Sequence, residues 1–293
     1  MKEKRILITG AKGFIGKNLS EFLSDKYKVF ATSHQDLNIL DFQAVKSFFD
    51  KNKIDFVIHC ASKGGARGIE DDPSVIDDNL QMFHNLESCL NGSRMITFGS
   101  GAQFDKSRPL IKIKEEELGK FIPKDPYGYS KLFTAKEIEK LNNVLCLNIF
   151  GCYGKGEKEN RFPTDAILKN LKKEPIFINK NVIFDYLYIN DLCKIVEFFI
   201  ENNPKEKIIN VTPTQSISLL KIAQIINKTG DFKSEIIIKE QGLNNQYTGD
   251  NQKLLKEMNG YNFTSYEDGL KELYQHLIKN EKVLRHCETR VSG

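Results

Sequence analysis

Tyr127 and Lys131 lie four residues apart in the segment 125–131, which reads Asp-Pro-Tyr-Gly-Tyr-Ser-Lys and is predicted to open a helix. At that spacing the two side chains share one helical face and lie one turn apart. A nearby ammonium group favours the phenolate form of a tyrosine, so Tyr127 could donate or accept a proton near neutral pH. An isolated pair of this kind is more often a surface tyrosine beside a solvated lysine, so its meaning depends on the elements around it.

Three glycines, Gly10, Gly13 and Gly16, follow directly after the apolar run Ile6-Leu7-Ile8. A short buried strand, a tight turn and the start of a helix would produce this pattern. In parallel α/β proteins such a turn holds the pyrophosphate of a dinucleotide, because glycine backbone approaches the phosphates closely and the helix N-terminus presents free N–H groups. Glycine-rich turns also close ordinary hairpins, but the position after a strand favours dinucleotide binding.

Predicted strands and helices alternate over the first half of the chain, and Asp41 is predicted to cap one of the helices. Strands are predicted at 28–32, 54–61, 94–99, 144–150, 182–189, 207–211 and 235–238. Helices are predicted at 15–23, 73–90, 127–141, 164–173, 191–201, 218–229, 251–258 and 266–279. This alternation predicts an α/β fold, a Rossmann-like doubly wound parallel sheet covered on both faces.

A smaller, mixed α/β lobe is predicted after the sheet domain, with the ligand cleft between them at the carboxyl ends of the strands. The predicted division is a dinucleotide-binding domain over 1–150, with 182–211 contributing to its sheet, a C-terminal substrate lobe over 151–181 and 212–284, and a loose tail over 285–293. Residues 151–163 are predicted to form a polar loop.

The bulk composition argues against several classes of protein. Lysine and arginine number 43 against 39 acidic residues, a net charge of +4, and the two signs are interspersed. That distribution argues against a dedicated nucleic-acid binder and suits an anionic small molecule. No stretch approaches the roughly 18 apolar residues of a membrane span, and no secretory signal is visible, so a cytoplasmic protein is predicted. The six cysteines show no ligand spacing, which predicts free thiols and no metal site.

At this point the sequence resembles the extended short-chain dehydrogenase/reductase family of sugar-nucleotide epimerases, dehydratases and reductases. The resemblance rests on segments 9–16, 59–61, 99–100, 127–131, 152–154 and 185–191. It implies NAD(P) in the first domain, a nucleotide sugar in the lobe, and a catalytic set of Ser100, Tyr127 and Lys131. Lys131 would also hold the nicotinamide ribose, and Ser100 would hydrogen-bond the reacting oxygen. Family members commonly form homodimers. His59 is expected to end a buried strand rather than to catalyse.

The end of the second predicted strand bears on the choice of cofactor. Residues 32–35 carry no acid before Asp36, whereas a carboxylate there would accept the ribose hydroxyls of NAD. Lys12 offers a cation to the 2′-phosphate of NADPH, and Ser33 and His34 could add hydrogen bonds, although Lys12 could equally be a solvated turn residue. NADPH is therefore favoured over NAD. The predicted cofactor contacts are Gly10, Lys12, Gly13, Phe14, Ile15, Gly16, Ser33, His34, Asp41, Ala61, Tyr127 and Lys131.

The residues after Ser100 help to choose the reaction, since they read Gly101, Ala102 and Gln103. The family's 4,6-dehydratases typically carry Thr-Asp-Glu in this segment, its decarboxylating members a Glu, and its ring-epimerising reductases a Cys at the position of Ala102. Plain reduction of a keto sugar needs only a hydride donor and the Tyr127 proton. The prediction is NADPH-dependent reduction of the C4 keto group of a nucleotide-linked 4-keto-6-deoxy sugar, for bacterial surface polysaccharide synthesis.

The overall motif spacing looks most like reductases of the CDP-abequose synthase type. An NAD-dependent nucleotide-sugar 4-epimerase, which uses the same three residues, is the alternative enzyme, and a cofactor-binding protein without catalysis is the alternative of another class.

The nucleotide-sugar side departs from the family pattern. The usual Arg-x-x-Asn-x-Tyr-Gly-Pro segment reads Asn148-Ile-Phe-Gly-Cys-Tyr-Gly-Lys155, and the usual Arg before Asp185 is Phe184. Arg161 is predicted as a phosphate contact and Phe162 as a stacking face, with surface arginine and core phenylalanine as equal alternatives. The predicted substrate contacts are Ser100, Ala102, Tyr127, Arg161 and Phe162. The motifs do not predict the nucleobase.

Overall fold

The computed structural model describes residues 3–66 and 68–291, with side chains described up to residue 279. The strands are β1 (Arg5–Thr9), β2 (Lys28–Thr32), β3 (Phe56–His59), β4 (Arg94–Ser100), β5 (Leu110–Ile113), β6 (Val144–Ile149), β7 (Gly151–Tyr153), β8 (Ile176–Asn181), β9 (Ile183–Phe184), β10 (Tyr186–Tyr188), β11 (Ile208–Val211), β12 (Ile217–Ser218), β13 (Ile236–Leu243) and β14 (Tyr247–Gly249). The helices are α1 (Phe14–Leu23), α2 (Phe42–Asn52), α3 (Ser74–Glu87), α4 (Pro126–Ile138), α5 (Phe162–Leu171), α6 (Ile189–Glu201), α7 (Leu219–Thr229), α8 (Gln252–Glu257) and α9 (Tyr266–Val291).

A six-stranded sheet forms the centre of the molecule, in the order β2-β1-β3-β4-β6-β11, and neighbouring strands are parallel. The strand order reverses beside β1, because β2 lies on one side of it and β3 on the other. In open α/β sheets this reversal leaves a crevice at the carboxyl ends of the two strands, where ligands bind. The predicted α/β fold with a doubly wound parallel sheet is confirmed.

Strand β1 shows why these residues form the sheet interior. Ile6, Leu7 and Ile8 are fully buried. Ile6 and Ile8 pack in the core that includes residues of α1 and α6, whereas Leu7 packs in the core that includes residues of α2, α3 and α4. A strand covered on both faces has no polar alternation, which is why the run is apolar at every position. Burying each such side chain contributes about 1.5–3 kcal/mol.

The lobe contains three small sheets, with orders β12-β9-β14-β5, β10-β7 and β13-β8, together with helices α5, α7 and α9. Its interior is continuous with the core under α1 and α6, where Ile178 and Ile222 join the residues of β1. The lobe also takes β5 from the first half of the chain, since β5 pairs in parallel with β14. No helix within the described residues is both long and apolar enough to span a bilayer.

Three predicted elements need correction. The single strand predicted over 182–189 is wrong, because β9 and β10 lie in different sheets. The break falls at Asp185, whose buried carboxylate accepts from the Gly249 N–H at 2.9 Å and pairs with Lys112 at 3.3 Å. Of the range 182–211, β11 is the part that pairs in the central sheet.

The predicted loop over 151–163 begins instead with strand β7, which pairs with β10. The tail predicted over 285–293 is wrong up to Val291, because α9 continues through it and residues 292–293 lie outside the described residues. The continuation is compatible with the sequence, since no proline or glycine lies between 270 and 292 to end the helix.

Candidate active site

A cleft of about 1620 Å³ opens at the carboxyl ends of the central strands, and residues of both the sheet domain and the lobe line it. Eight of the predicted site residues line this cleft: Phe14, Ile15, Ser100, Ala102, Tyr127, Lys131, Arg161 and Phe162. The cleft therefore contains the predicted catalytic set together with predicted cofactor and substrate contacts. Ala102 is 3% exposed, and its methyl side chain gives the cleft no reactive group.

The glycine turn joins β1 to α1 at one end of the crevice. Gly10 has φ +66, and a Cβ built on it would lie 2.7 Å from the Ala61 amide nitrogen. A Cβ on Gly16 would collide with the Gly10 carbonyl oxygen. Gly13 occupies the N-cap position of α1, and no side chain caps its first turn. Glycine at 10 and 16 therefore lets the turn pack closely against the end of β3 and against itself. The uncapped N-terminus of α1 beside this tight turn fits the pyrophosphate of a dinucleotide, because its first backbone N–H groups have no side-chain acceptor.

The end of β2 differs from the acid-free site expected there. Asp36 folds back on Ser33, accepting from its hydroxyl at 2.5 Å and its backbone N–H at 2.9 Å. These hydrogen bonds hold the pKa of Asp36 below its usual value, so its negative charge persists at this strand end. The Ser33 hydroxyl donates to Asp36 in this arrangement, and its predicted contact with the cofactor stays a prediction. Lys12 lies exposed with its Nζ donating to Gln35 at 3.1 Å.

Two further predicted cofactor residues follow β2 along the chain, and the first of them, His34, is exposed. Asp41 is the N-cap of α2, accepting from the backbone N–H groups of Gln43 and Ala44 at 2.9 and 3.1 Å. The predicted cap is therefore present, and the cofactor contact at Asp41 stays a prediction.

The catalytic candidates converge where β4 ends and α4 begins. Lys131 donates from Nζ to the Phe98 carbonyl oxygen at 2.9 Å and lies 5.5 Å from the centre of the Tyr127 ring. Ser100 ends β4, and its Oγ accepts from the Ala102 N–H at 3.2 Å. Asp125 is the N-cap of α4, and its carboxylate accepts from the Gly128 N–H at 2.9 Å. This cap fixes the first turn of the helix, which carries Tyr127. A phenol, a hydroxyl and an ammonium at one cleft wall suit proton transfer to a carbonyl oxygen.

His59 has the structural role expected of it. It is buried at the end of β3, with Nδ1 2.9 Å from the Thr9 hydroxyl oxygen. Burial lowers the pKa of His59 to about 3, so the ring is neutral at physiological pH. The pair ties β1 to β3 beside the glycine turn.

Comparison with known proteins decides the family. A model described as the NAD dependent epimerase/dehydratase family matches residues 6–212. The chain belongs to this family. It is 25% identical over 311 aligned residues to GDP-L-colitose synthase from Yersinia pseudotuberculosis, covering 95% of this chain and 99% of that protein. It is also 25% identical to GDP-6-deoxy-D-talose 4-dehydrogenase from Aggregatibacter actinomycetemcomitans, covering 94% and 98%.

Among solved structures, GDP-mannoheptose C4 reductase from Campylobacter jejuni with NADP bound superimposes with a TM-score of 0.81. The two chains are 20% identical, and the alignment covers 94% of this chain and 99% of the other. The relatives in this epimerase/dehydratase family are nucleotide-sugar modifying enzymes, so this chain is an enzyme of that general class, an oxidoreductase or epimerase that uses a nicotinamide cofactor.

At two positions where the sequence departs from the epimerase/dehydratase pattern, 148 and 184, the side chain packs against other residues of this chain. Asn148 is buried and donates from Nδ2 to Asn210 at 3.0 Å, joining β6 to β11. Phe184 packs its ring against Tyr186 and Tyr247, with ring centres 5.2 and 5.4 Å away. Where the usual pattern has arginines, this chain therefore has a buried asparagine, Asn148, and a phenylalanine packed against tyrosines, Phe184.

On the lobe side of the cleft, the exposed ring of Phe177 lies close to two lysine ammonium groups. Phe177 is 40% exposed, with the Lys169 and Lys239 ammonium groups 5.2 and 5.6 Å from its ring centre. Phe162 lines the cleft but is 5% exposed and packs in the core, so it has no free face for stacking, which corrects its predicted role. Position 177 was missed because an isolated Phe in an apolar strand gives no chemical signal.

Glu157 is a second residue of the cleft that the sequence analysis missed. It is half-buried, and its Oε2 accepts from the Thr164 hydroxyl at 2.7 Å. Burial raises the pKa of Glu157 to about 8, so the carboxyl is largely protonated at neutral pH. A neutral carboxyl leaves this wall of the cleft, close to Arg161, more favourable to an anion.

Glu157→Gln is expected to flatten the pH dependence of stability. Between about pH 5 and pH 8 the folded chain keeps a proton that the unfolded chain releases, so the free energy of unfolding falls as pH rises, by roughly 2 kcal/mol. Glutamine mimics the protonated carboxyl and removes that fall. Urea denaturation at pH 6 and pH 8 measures the effect, with Glu159→Gln as the exposed control. Equal pH slopes for wild type and Glu157→Gln would contradict this account.

Proposed function

We propose that this chain uses NADPH to reduce the C4 keto group of a nucleotide-linked 4-keto-6-deoxy sugar, for bacterial surface polysaccharide synthesis. The observation that carries the proposal is the cleft wall itself. It presents Ser100, Tyr127 and Lys131, while the adjacent turn offers Gly101 and Ala102, which have no titratable group. Elimination or ring epimerisation needs a further acid or base beside the sugar, whereas carbonyl reduction does not.

In the proposed mechanism the side chains of the cleft transfer one proton to the substrate. Tyr127 donates the proton of its hydroxyl to the carbonyl oxygen, and the Ser100 hydroxyl hydrogen-bonds the same oxygen to polarise it. The Lys131 ammonium stabilises the phenolate that remains, until solvent returns a proton to it. When bound, NADPH supplies the hydride that completes the secondary alcohol. The turn at Gly10 and Gly16, with the N-terminus of α1, would hold its pyrophosphate.

The proposed nucleotide position rests on charge in the lobe. Arg161, Lys169 and Lys239 bring three cations to the cleft, of which Lys169 is paired with Asp165 at 3.2 Å, and cations of this kind suit a diphosphate. Phe177 offers the exposed ring on which a base would stack. The similarity to GDP-L-colitose synthase and GDP-6-deoxy-D-talose 4-dehydrogenase supports testing GDP-linked sugars first.

The test is a screen of GDP-, CDP-, dTDP- and UDP-linked 4-keto-6-deoxy sugars, following NADPH absorbance and reading the product configuration by NMR. Consumption of one NADPH per alcohol formed, by protein that carries no tightly bound cofactor, is the expected result. Protein that retains NAD and, when given the corresponding 4-hydroxy nucleotide sugars, interconverts their C4 epimers without net oxidation of NADPH would instead establish a 4-epimerase. Absence of both activities would leave a cofactor-binding protein without catalysis.

The cofactor preference can be tested by two opposite changes, one in the glycine turn after β1 and one in the turn after β2. Lys12→Ala is expected to weaken NADPH binding about tenfold and to leave NADH binding unchanged, because it removes a cation available to the 2′-phosphate. Asp36→Asn is expected to strengthen NADPH binding, because it removes the negative charge held at Ser33. Fluorescence titration with each cofactor measures both. Unchanged NADPH affinity in Lys12→Ala would contradict the preference.

A further inference from the structure

A second glycine turn, between β3 and α3, lies against the ring of Tyr127. Gly64 and Gly65 have φ +78 and +71, in the left-handed region that favours glycine. A Cβ built on Gly65 would lie 3.0 Å from Cε1 and Cζ of Tyr127 and 3.1 Å from Cδ1. The backbone of the turn therefore packs on the part of the ring that includes the carbon bearing the hydroxyl.

Asp71 holds this turn by a hydrogen bond to its backbone. The half-buried Asp71 carboxylate accepts from the Gly65 N–H with both oxygens, each at 3.0 Å. Hydrogen bonds to an ionised carboxylate are stronger than those between neutral groups. A Cβ on Gly64 would lie 2.8 Å from Val75 Cγ1 and 2.9 Å from Asp71 Oδ1. The turn is therefore in close contact with Asp71, with the start of α3 and with the Tyr127 ring.

Asn79 connects the residue before the turn to the helix that carries Tyr127. It is buried on α3, accepts from the Lys63 N–H at 2.8 Å and donates to the Lys63 carbonyl oxygen at 3.1 Å. Its Nδ2 also donates to Ser130 Oγ at 3.1 Å, and the Ser130 hydroxyl donates to the Tyr127 carbonyl oxygen at 2.8 Å. The loop and the backbone of Tyr127 therefore share one hydrogen-bond network, to which Asp71 adds the contact nearest the tyrosine ring.

We propose that Asp71 is a positioning residue, which holds the Gly64–Gly65 turn against the Tyr127 ring and thereby fixes the direction of the phenol hydroxyl toward the substrate carbonyl oxygen. This role rests on the proposed reduction. Lys131, whose ammonium lies 5.5 Å from the ring centre, acts on the charge of the phenolate, whereas the turn acts on the position of the ring. Holding a reacting group in place before the reaction lowers the entropic part of the barrier, and a misplacement of about 1 Å can cost about a hundredfold in rate.

The kinetic test compares Asp71→Ala with Asp71→Asn, using the nucleotide sugar that the screen identifies. Asp71→Ala should lower kcat about tenfold and leave NADPH affinity unchanged, because only the support of the ring is lost. Asp71→Asn should keep at least about half of kcat, since the amide oxygen still accepts from the Gly65 N–H. The control is Asp72→Ala, which removes a carboxylate bonded to the Ser74 N–H at 2.9 Å and should keep wild-type kcat.

Two kinetic results would overturn the proposal. Equal losses in Asp71→Asn and Asp71→Ala would mean that the charge matters and the hydrogen bond does not. A raised KM for the sugar with unchanged kcat would make Asp71 a substrate contact instead.

A variant on the other side of the contact does not alter Asp71. Gly65→Ala should lower kcat at least about tenfold, because its methyl group meets the Tyr127 ring. The matched control is Gly92→Ala, since Gly92 has φ +90 and a Cβ built there meets nothing within 4 Å. It introduces the same kind of backbone strain away from the cleft and should keep wild-type kcat. Equal kcat in the two alanine variants would overturn the contact with the ring.

A spectroscopic measurement needs no substrate and separates this inference from the proposed function. In protein labelled with ¹³C at tyrosine Cζ, Asp71→Ala should shift the Tyr127 resonance and leave that of Tyr129 in place, and Asp72→Ala should shift neither. The Tyr127→Phe spectrum assigns the signal. An unmoved Tyr127 signal overturns the positioning role, whatever the activity. If the signal moves but the wild type reduces no keto nucleotide sugar, the contact stands and its role in reduction fails together with the proposed function.

Discussion

Tyr127→Phe is expected to lower kcat about a thousandfold while NADPH affinity and the KM for the nucleotide sugar stay within a factor of about three. The phenylalanine ring fills the same space, so the variant loses the transferable proton and little else. The loss is confined to kcat because the hydroxyl acts on the carbonyl oxygen as charge develops there. Steady-state oxidation of NADPH measures kcat, and fluorescence titration measures cofactor affinity.

Tyr129→Phe is the matched control for this prediction, because Tyr129 lies two residues along α4 and packs against Phe133 with ring centres 4.7 Å apart. Its kcat should be that of the wild type. A Tyr127→Phe variant that retains more than about a tenth of wild-type kcat would remove Tyr127 from the mechanism, since general acid catalysis contributes on the order of 10²–10⁴.

Lys131→Met is expected to lower kcat at least about a hundredfold and also to weaken NADPH binding about tenfold. Methionine has a similar length and no charge, so the variant loses the ammonium that donates to the Phe98 carbonyl oxygen and faces the Tyr127 ring. The double effect distinguishes it from Tyr127→Phe, because Lys131 is assigned both to the phenolate and to the nicotinamide ribose. The same two assays, steady state and titration, measure it.

Lys136→Met provides the control on the same helix, where the exposed Lys136 pairs with Glu139 at 3.1 Å. It should leave both kcat and cofactor affinity unchanged. If Lys131→Met kept wild-type cofactor affinity and lost only kcat, the ribose contact would be wrong. If it kept both, the resemblance to the family would not extend to this lysine.

The elements that the sequence predicts well are those whose signals are local. The run Ile6-Leu7-Ile8, the glycine spacing after it and the cap at Asp41 each depend on residues within a few positions, and strand β2 was predicted with the observed bounds. Tyr127 and Lys131 share a helical face for the same reason. Lys131 was not predicted to hydrogen-bond Phe98, because that contact spans 33 residues.

The features that were missed depend on contacts between distant segments. β5 joins the lobe through β14, more than 130 residues later in the chain, and β14 carries Tyr247, whose ring lies against Gly101. Asp36 was judged too far along the chain to act at the end of β2, and the turn brings its carboxylate back to Ser33. Phe162 was predicted as a stacking face with a core phenylalanine as the alternative, and its burial depends on contacts from the whole core.

The central claim is hydride transfer to a sugar carbonyl, and deuterium labelling tests it most directly. The wild-type chain is incubated with NADPH in which both hydrogens at C4 of the nicotinamide are replaced by deuterium, and with the nucleotide-linked 4-keto-6-deoxy sugar that the screen identifies. ¹H and ²H NMR then locate the label. The account predicts deuterium on sugar C4, in one configuration and in a one-to-one ratio with the NADP⁺ formed. Product with hydrogen at C4 and no deuterium, or alcohol formed without a matching amount of NADP⁺, would contradict it.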